Sequence, residues 1–268
     1  MNKRLVLFLL LMLNAVTTVA QSDEDLSKPY NEVTFIATHN SFNTKAGKFR
    51  FTNQRISIFD QLNGGVRGLC LDIHEHKGEL LLFHAYKSLG SEPLSKGLEE
   101  IEKYLSQDTA AVVTLFLECY TSANKVEEAL REANLFHFLY TENGDEWDSI
   151  DSMLRTNKRL VIFSSRNDAS EDQQWYHYYN THIADTPYSN FKIKDLSVEV
   201  NRGHPSNAIF VLNHFVYSWV GTGSKRKAKK INTDAFIEER MKAVQLEYGR
   251  LPNFVIIDYF KPEVISGF

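Results

Sequence analysis

The chain has 268 residues, 43% of them apolar and 24% charged, with a net charge of −4. That length and balance suit one large core and exclude a disordered, repetitive or disulfide-built protein, since Cys70 and Cys119 are the whole cysteine supply. The acidic balance also excludes a broad basic face for nucleic acid.

Residues 1–20 join Lys3 and Arg4 to the apolar run LVLFLLLML and to small residues before Gln21, the pattern of a secretory signal peptide cut near Ala20. The run is shorter than the roughly 20 residues a membrane span needs. A secreted or periplasmic location is therefore expected, with residues 21–268 as a single domain of net charge −6 once Lys3 and Arg4 are removed. After a polar lead-in, VTFIAT (33–38) reads as the first strand, broken by HNSFN. FTNQRISIFDQLNGG spaces Ile56, Phe59 and Leu62 for a helix and stops it at Gly64-Gly65.

The second and third strands, about 66–73 and 79–84, are linked by the hairpin-length polar piece EHKG. EPLSKGLEEIEKYLSQ then sets Leu94, Leu98, Ile101 and Leu105 on one helical face. AVVTLFLE is the fourth strand, NKVEEALREANLFHFLY a helix, SIDSMLRTN a short second helix, and RLVIFSS (159–165) the fifth strand. THIADTP is a weak sixth strand within 166–206, where long loops are otherwise expected. AIFVLNHF, the helix TDAFIEERMKAVQLEYG and the strand NFVIIDYF complete the chain. Alternating strands and helices predict parallel strands with right-handed crossovers. A distorted or incomplete (β/α)8 TIM-type barrel fits best. An open doubly wound sheet is the alternative, although no glycine-rich nucleotide loop follows any strand.

Several strands are apolar along their length and release a polar group at the C-terminal tip, as barrel strands that feed a site do. The tips offer His39 and Asn40, Asp72, His84, Glu118 and Asp258. Two imidazoles and several carboxylates suit metal-assisted acid/base work on a phosphate ester. If the barrel closes, Asp258 lies beside the first strand and accepts a hydrogen bond from His39. Arg166, past the fifth tip, and Lys87, past His84, are the candidates for phosphate contact. Cys70 and Cys119 point to opposite sides of the sheet and are expected as free thiols. His74 and His76 read as surface groups in the hairpin and Arg67 as structural pairing. Trp175, Tyr176, Tyr178 and Tyr179 form either an aromatic rim or a loop cover. SKRKAKK (224–230), with five cations in seven positions, is either a solvated segment or a patch for anionic lipid.

IATHNSFN, QLNGGVRGLCLDI, LLLFHA, VTLFLE, RLVIFSS, NRGHPSN, FVLNHF and PNFVIIDYF together resemble the X domain of phosphatidylinositol-specific phospholipases C and the wider group of secreted phospholipase C-like phosphodiesterases. The resemblance implies that His39 takes a proton from the inositol 2-hydroxyl and that His84 protonates the leaving diacylglycerol oxygen. It also implies Ca2+, with Mg2+ second, held by Asn40, Asp72 and Glu118. In a metal-free branch of the family an Arg occupies the place of Asp72. The acidic residue expected two positions before Asp72 is Cys70, which leaves the metal set one carboxylate short. The partners implied are a phospholipid and a membrane met peripherally, with the protein a monomer. A glycerophosphodiester or sphingomyelin phosphodiesterase on the same barrel is the alternative enzyme, and a lipid-binding homologue that has lost activity is the alternative without chemistry.

Overall fold

The computed structural model describes residues 26–142, 146–219 and 221–262, so the expected signal peptide lies outside the described residues. The first half runs β1 (Phe35–Thr38), α1 (Ile58–Asn63), β2 (Gly68–His76), β3 (Glu79–Leu82), β4 (Glu92–Pro93), α2 (Leu94–Gln107), β5 (Val113–Cys119) and α3 (Ala123–Glu132). The second half runs α4 (Ile150–Arg155), β6 (Leu160–Ser164), β7 (Tyr176–Tyr178), α5 (Tyr179–His182), β8 (Ile183–Asp185), β9 (Ile209–His214), α6 (Lys225–Ile231), α7 (Asp234–Tyr248) and β10 (Phe254–Ile257). No helix among the described residues is long and apolar enough to cross a membrane.

The main ladder is β7-β6-β5-β2-β1-β10-β9-β8, and every neighbouring pair in it is parallel. Among the described residues no pairing joins β7 to β8, so the barrel is incomplete at that seam. β3 and β4 fold back antiparallel outside the path.

Strand residues alternate between two apolar layers because successive side chains leave opposite faces. Ile36, Leu69, Leu115, Leu117, Leu212 and Val255 join the helices in the outer layer. Phe35, Ala37, Phe116, Phe163, Val211, Phe254 and Ile256 fill the barrel interior with Tyr30 and Trp147. Gly68 lets β1 and β2 approach closely, since a Cβ there would lie 2.6 Å from Ala37 Cβ. Cys70 packs against the inner layer and Cys119 sits in the outer one; both are free thiols.

Several element boundaries differ from the sequence expectation for local reasons. The helix expected from residue 51 starts at Ile58, because the Asn53 and Gln54 amides donate to Asn43 O and Ser57 caps the helix through Asp60 N. The third strand ends at Leu82 rather than at residue 84, since Ala85 turns the chain at φ 57°. The helix after the fourth strand stops at Glu132, two residues before Asn134 at φ 57°. β7 and the start of α5 lie in the segment expected to be loop, and α5 takes Thr181 and His182 from the expected sixth strand, which is confined to β8; such short pieces hold too few residues to leave a period. Of the aromatic cluster, Trp175 and Tyr176 are buried as packing, Tyr178 is half-buried, and Tyr179 is buried with a face on a cavity.

Candidate active site

The inward face that carries apolar packing through the barrel changes character at its C-terminal end. Two residues past Ala37 comes His39; past Ile256, Asp258; past Cys70, Asp72; past Phe116, Glu118. Period-two alternation alone therefore aims all four side chains at one mouth. The β1–β10 register pairs Thr38 with Ile257, which sets His39 beside Asp258. The His39 ring nitrogen Nδ1 lies 3.0 Å from Asp258 Oδ1, and Asn53 Nδ2 donates to the same oxygen at 2.8 Å. Phe215 stacks on the His39 ring with centroids 3.9 Å apart. Asn40 follows at φ 45°, a left-handed conformation that Asn tolerates better than most residues, and its side chain faces the same mouth.

β2 and β5 pair Asp72 with Glu118 directly across the ladder. The hairpin then returns β3 along β2, and Phe83 N donates to Asp72 O at 3.3 Å. That return brings His84 Nδ1 to 2.8 Å from Asp72 Oδ2. Burial pushes the Asp72 carboxyl up, the His84 hydrogen bond opposes this, and the Glu118 charge adds to it. The hydrogen bond to Asp72 raises His84 above the usual imidazole range despite partial burial, which favours its proton-donating form.

His39, Asn40, Asp72, His84 and Glu118 all line one cavity of about 520 Å³. Across it the two imidazole centroids are 6.4 Å apart with ring planes at 75°. Each ring has Nδ1 on its own buried carboxylate, leaving the other nitrogen for a ligand. Such a pair can hold a tetrahedral group between a base and an acid.

Calcium fits the donors present. Asn40, Asp72 and Glu118 supply hard oxygens, and two carboxylates facing each other in one cavity repel unless a cation lies between them. Cys70 lines the cavity, but burial and then Asp72 push its thiol up, so it stays protonated and adds no anionic ligand.

Arg166 and Lys87 are not among the residues lining the cavity, and Arg166 is paired with Asp168 at 2.9 Å. Among the described residues, the Lys or Arg side chain that lines it is Arg202, fixed on the buried Asp185 at 3.0 Å through Nε and lying over the rings of Tyr179 and Tyr188. Sequence reasoning missed Arg202 because it sits in an aperiodic loop, tied to β8 by a single bridge to Asp185. Asn53 was hidden likewise inside a stretch read as helix. His74 is stacked between Phe83 and Tyr120, outside the cavity lining. Arg67 donates to the Leu62 and Val66 carbonyls, a structural role.

The PI-PLC X family model matches residues 26–264. A PI-PLC X domain-containing protein of Arabidopsis thaliana is 24% identical over 255 residues, covering 87% of this chain and 59% of that protein. An uncharacterized secreted protein of Arthroderma benhamiae is 23% identical over 270 residues, covering 91% and 60%. The chain thus spans about three fifths of the length of these relatives. Among solved structures, the phosphatidylinositol-specific phospholipase C of Listeria monocytogenes matches with a TM-score of 0.61 at 13% identity, covering 90% of this chain and 93% of that one. A variant of the Staphylococcus aureus enzyme matches at 0.60 and 13%, covering 90% and 93%. Another structure of that enzyme, concerned with modulation of its membrane binding, matches at 0.56 and 14%, covering 90% and 94%. At these identities the likeness is one of fold.

Proposed function

The chain belongs to the PI-PLC X domain family, and from that premise we propose that it cleaves phosphatidylinositol-type lipids by attack of the inositol 2-hydroxyl on the neighbouring phosphorus. The observation that carries the reading is the pair His39 and His84, facing each other over one cavity with Nδ1 of each on its own carboxylate. With Nδ1–H of His39 donating to Asp258, its Nε2 is an acceptor for the hydroxyl proton. The sugar oxygen bonds to phosphorus as the bond to the diacylglycerol oxygen breaks. His84, kept protonated by Asp72, gives its Nε2 proton to that leaving oxygen. The products are a cyclic inositol phosphate and diacylglycerol. Exchange of roles between the two rings then lets water open the cycle.

Arg202 is the phosphate contact among this chain's own cations, in place of Arg166 and Lys87. Asn40, Asp72 and Glu118 would hold Ca2+, with Mg2+ second, and the bound ion would offset charge building on the phosphate oxygens.

Contact with the lipid surface is peripheral. Trp219 is 91% exposed and Phe191 47%, and Phe191 packs edge-on against Tyr217 in the cavity wall. Lys225, Arg226, Lys229 and Lys230 are exposed on α6 close by, where Lys227 ties the helix to the Phe191 and Tyr217 carbonyls. An apolar prow beside cations is what an anionic bilayer attracts. An exported location agrees with this reading, and one relative is a secreted protein.

The test is purified protein on mixed-lipid vesicles, read by phosphorus NMR. Cyclic inositol phosphate from phosphatidylinositol is the expected product. Choline phosphate or glycerol phosphate as the main product would move the assignment to the alternative diesterases, and no release from any diester would leave a lipid-binding module.

A further inference from the structure

Three side chains that the proposed reaction leaves unused converge away from the catalytic cavity, and none of them lines it. His177 comes from β7, His182 from the end of α5, and Glu142 from the segment after Tyr140. One ligand atom from each lies within 4.8 Å of the others. His177 is 3% exposed, and its Nε2 is buried with no hydrogen-bond partner. The same ring is engaged by a backbone hydrogen bond to Tyr140. His182 Nδ1 sits 2.8 Å from Tyr178 O while its Nε2 sits 3.0 Å from Glu142 Oε1.

His182 thus has Nδ1 on a backbone carbonyl and Nε2 towards Glu142, and the backbone hydrogen bond of His177 falls to its other nitrogen, since its Nε2 has no partner. A carbonyl on Nδ1 fixes the tautomer whose Nε2 lone pair is free, the usual support for a metal-binding imidazole. A buried lone pair with no donor is a cost that folded proteins rarely leave unanswered. Trp147 and Phe163 pack around His177 and His182, so the pocket is aromatic-walled and poor in competing donors.

We infer that Glu142, His177 and His182 form a second metal site, for a divalent transition cation of the zinc class, bound through two Nε2 atoms and one carboxylate with solvent completing the shell. Two imidazoles and a carboxylate favour Zn2+ over the hard cations suited to Asn40, Asp72 and Glu118. Bonds of about 2.0–2.1 Å require ligand atoms roughly 3.4 Å apart. Glu142 and His182 are partly exposed and have the freedom to draw in towards the fixed His177.

The position gives the ion a structural task. β7 and β8 are the two ends of the ladder, with no pairing between them among the described residues, and α5 with His182 is the link between them. Glu142 follows Leu139, which bridges β6 at Leu160. An ion at this point ties the open seam to the barrel wall. It also steadies Tyr179 and Asn180, which α5 contributes to the catalytic cavity.

The experiment is calorimetric titration of untagged, metal-stripped protein with ZnCl2, with Co2+ absorption as a ligand-sensitive readout and no substrate present. The expected result is about one Zn2+ per chain at micromolar affinity or tighter, not displaced by excess Ca2+, together with visible Co2+ bands of a low-coordinate nitrogen site. Binding should weaken at least about tenfold in His182→Asn and in Glu142→Gln, and should persist in His84→Ala. Glu142→Gln changes one partly exposed oxygen, so it remains informative if His182→Asn folds poorly. No Zn2+ uptake by the parent protein, unchanged uptake by Glu142→Gln, or loss of uptake in His84→Ala would each overturn the site.

Discussion

His39 and Asp258 are neighbours because the register that pairs Thr38 with Ile257 runs one step past both strand ends, bringing Nδ1 and Oδ1 to 3.0 Å across 219 residues of chain. Asp258 is 1% exposed, and its Oδ1 is shared with Asn53, so the imidazole is oriented by a carboxylate that is itself held.

If Asp258 sets the His39 tautomer, Asp258→Asn should cut turnover on phosphatidylinositol by about a hundredfold or more. His39→Ala and His84→Ala should each cost about a thousandfold, within the range that acid/base groups supply. Initial rates on vesicles, compared at equal circular dichroism, check this. Near-normal turnover in either histidine variant would remove the mechanism.

A pH–rate profile tests the second ring. His84 is raised by its hydrogen bond to Asp72, so a reaction that needs protonated His84 should keep its alkaline limb above the ordinary imidazole value. Asp72→Asn, measured at saturating Ca2+, should move that limb to lower pH. A limb that stays in place or moves upward counts against His84 as the acid.

Chelation separates the two ways of offsetting phosphate charge. With Asn40, Asp72 and Glu118 as ligands, EGTA should abolish turnover and added Ca2+ should restore it, while Glu118→Gln should raise the Ca2+ needed. Full activity in EGTA would shift the task to Arg202, in which case Arg202→Met should lose nearly all rate.

Membrane contact and chemistry should be separable. Trp219→Ala, or Lys229→Glu with Lys230→Glu, should weaken binding to vesicles containing anionic lipid several-fold, by sedimentation. Turnover on a short-chain monomeric substrate should be unchanged. Equal vesicle binding by parent and variants would relocate the lipid-facing surface.

Acid should destabilise the fold through His214. Burial, then Arg240, lowers this ring to about 3; Nε2 faces Ile231 O at 2.9 Å and Nδ1 accepts from Arg240 at 3.2 Å. An unfolded chain takes up this proton near pH 6.5, whereas the folded protein refuses it, so stability falls as pH drops from about 6.5 towards 3. The loss by pH 4 should be on the order of a few kcal/mol, read from urea unfolding at pH 7 and pH 4. A flat stability curve over that range would contradict the buried neutral ring.

Much of this site is legible in one dimension. Apolar runs ending in His39, Asp72, Glu118 and Asp258 announce themselves because side-chain direction along a strand depends only on local backbone geometry. Arg202 and Asn53 leave no such mark, and Arg166 and Lys87 are candidates only through closeness in sequence to a strand tip. Closeness in sequence says little about which way a long cationic side chain turns: Arg166 turned to Asp168, two residues away.

From the sequence alone came the alternation of strands and helices, the polar groups at the strand ends and the family likeness, all of which are written in short-range spacing. The sequence also pointed to Asp258 beside His39 on condition that the barrel closes; tertiary structure decided that closure of β1 on β10, the return of His84 onto Asp72, the seam between β7 and β8, and the entry of Arg202 into the cavity. Those depend on which distant strands pair and in what register, a choice made by packing the whole barrel rather than by any segment of it.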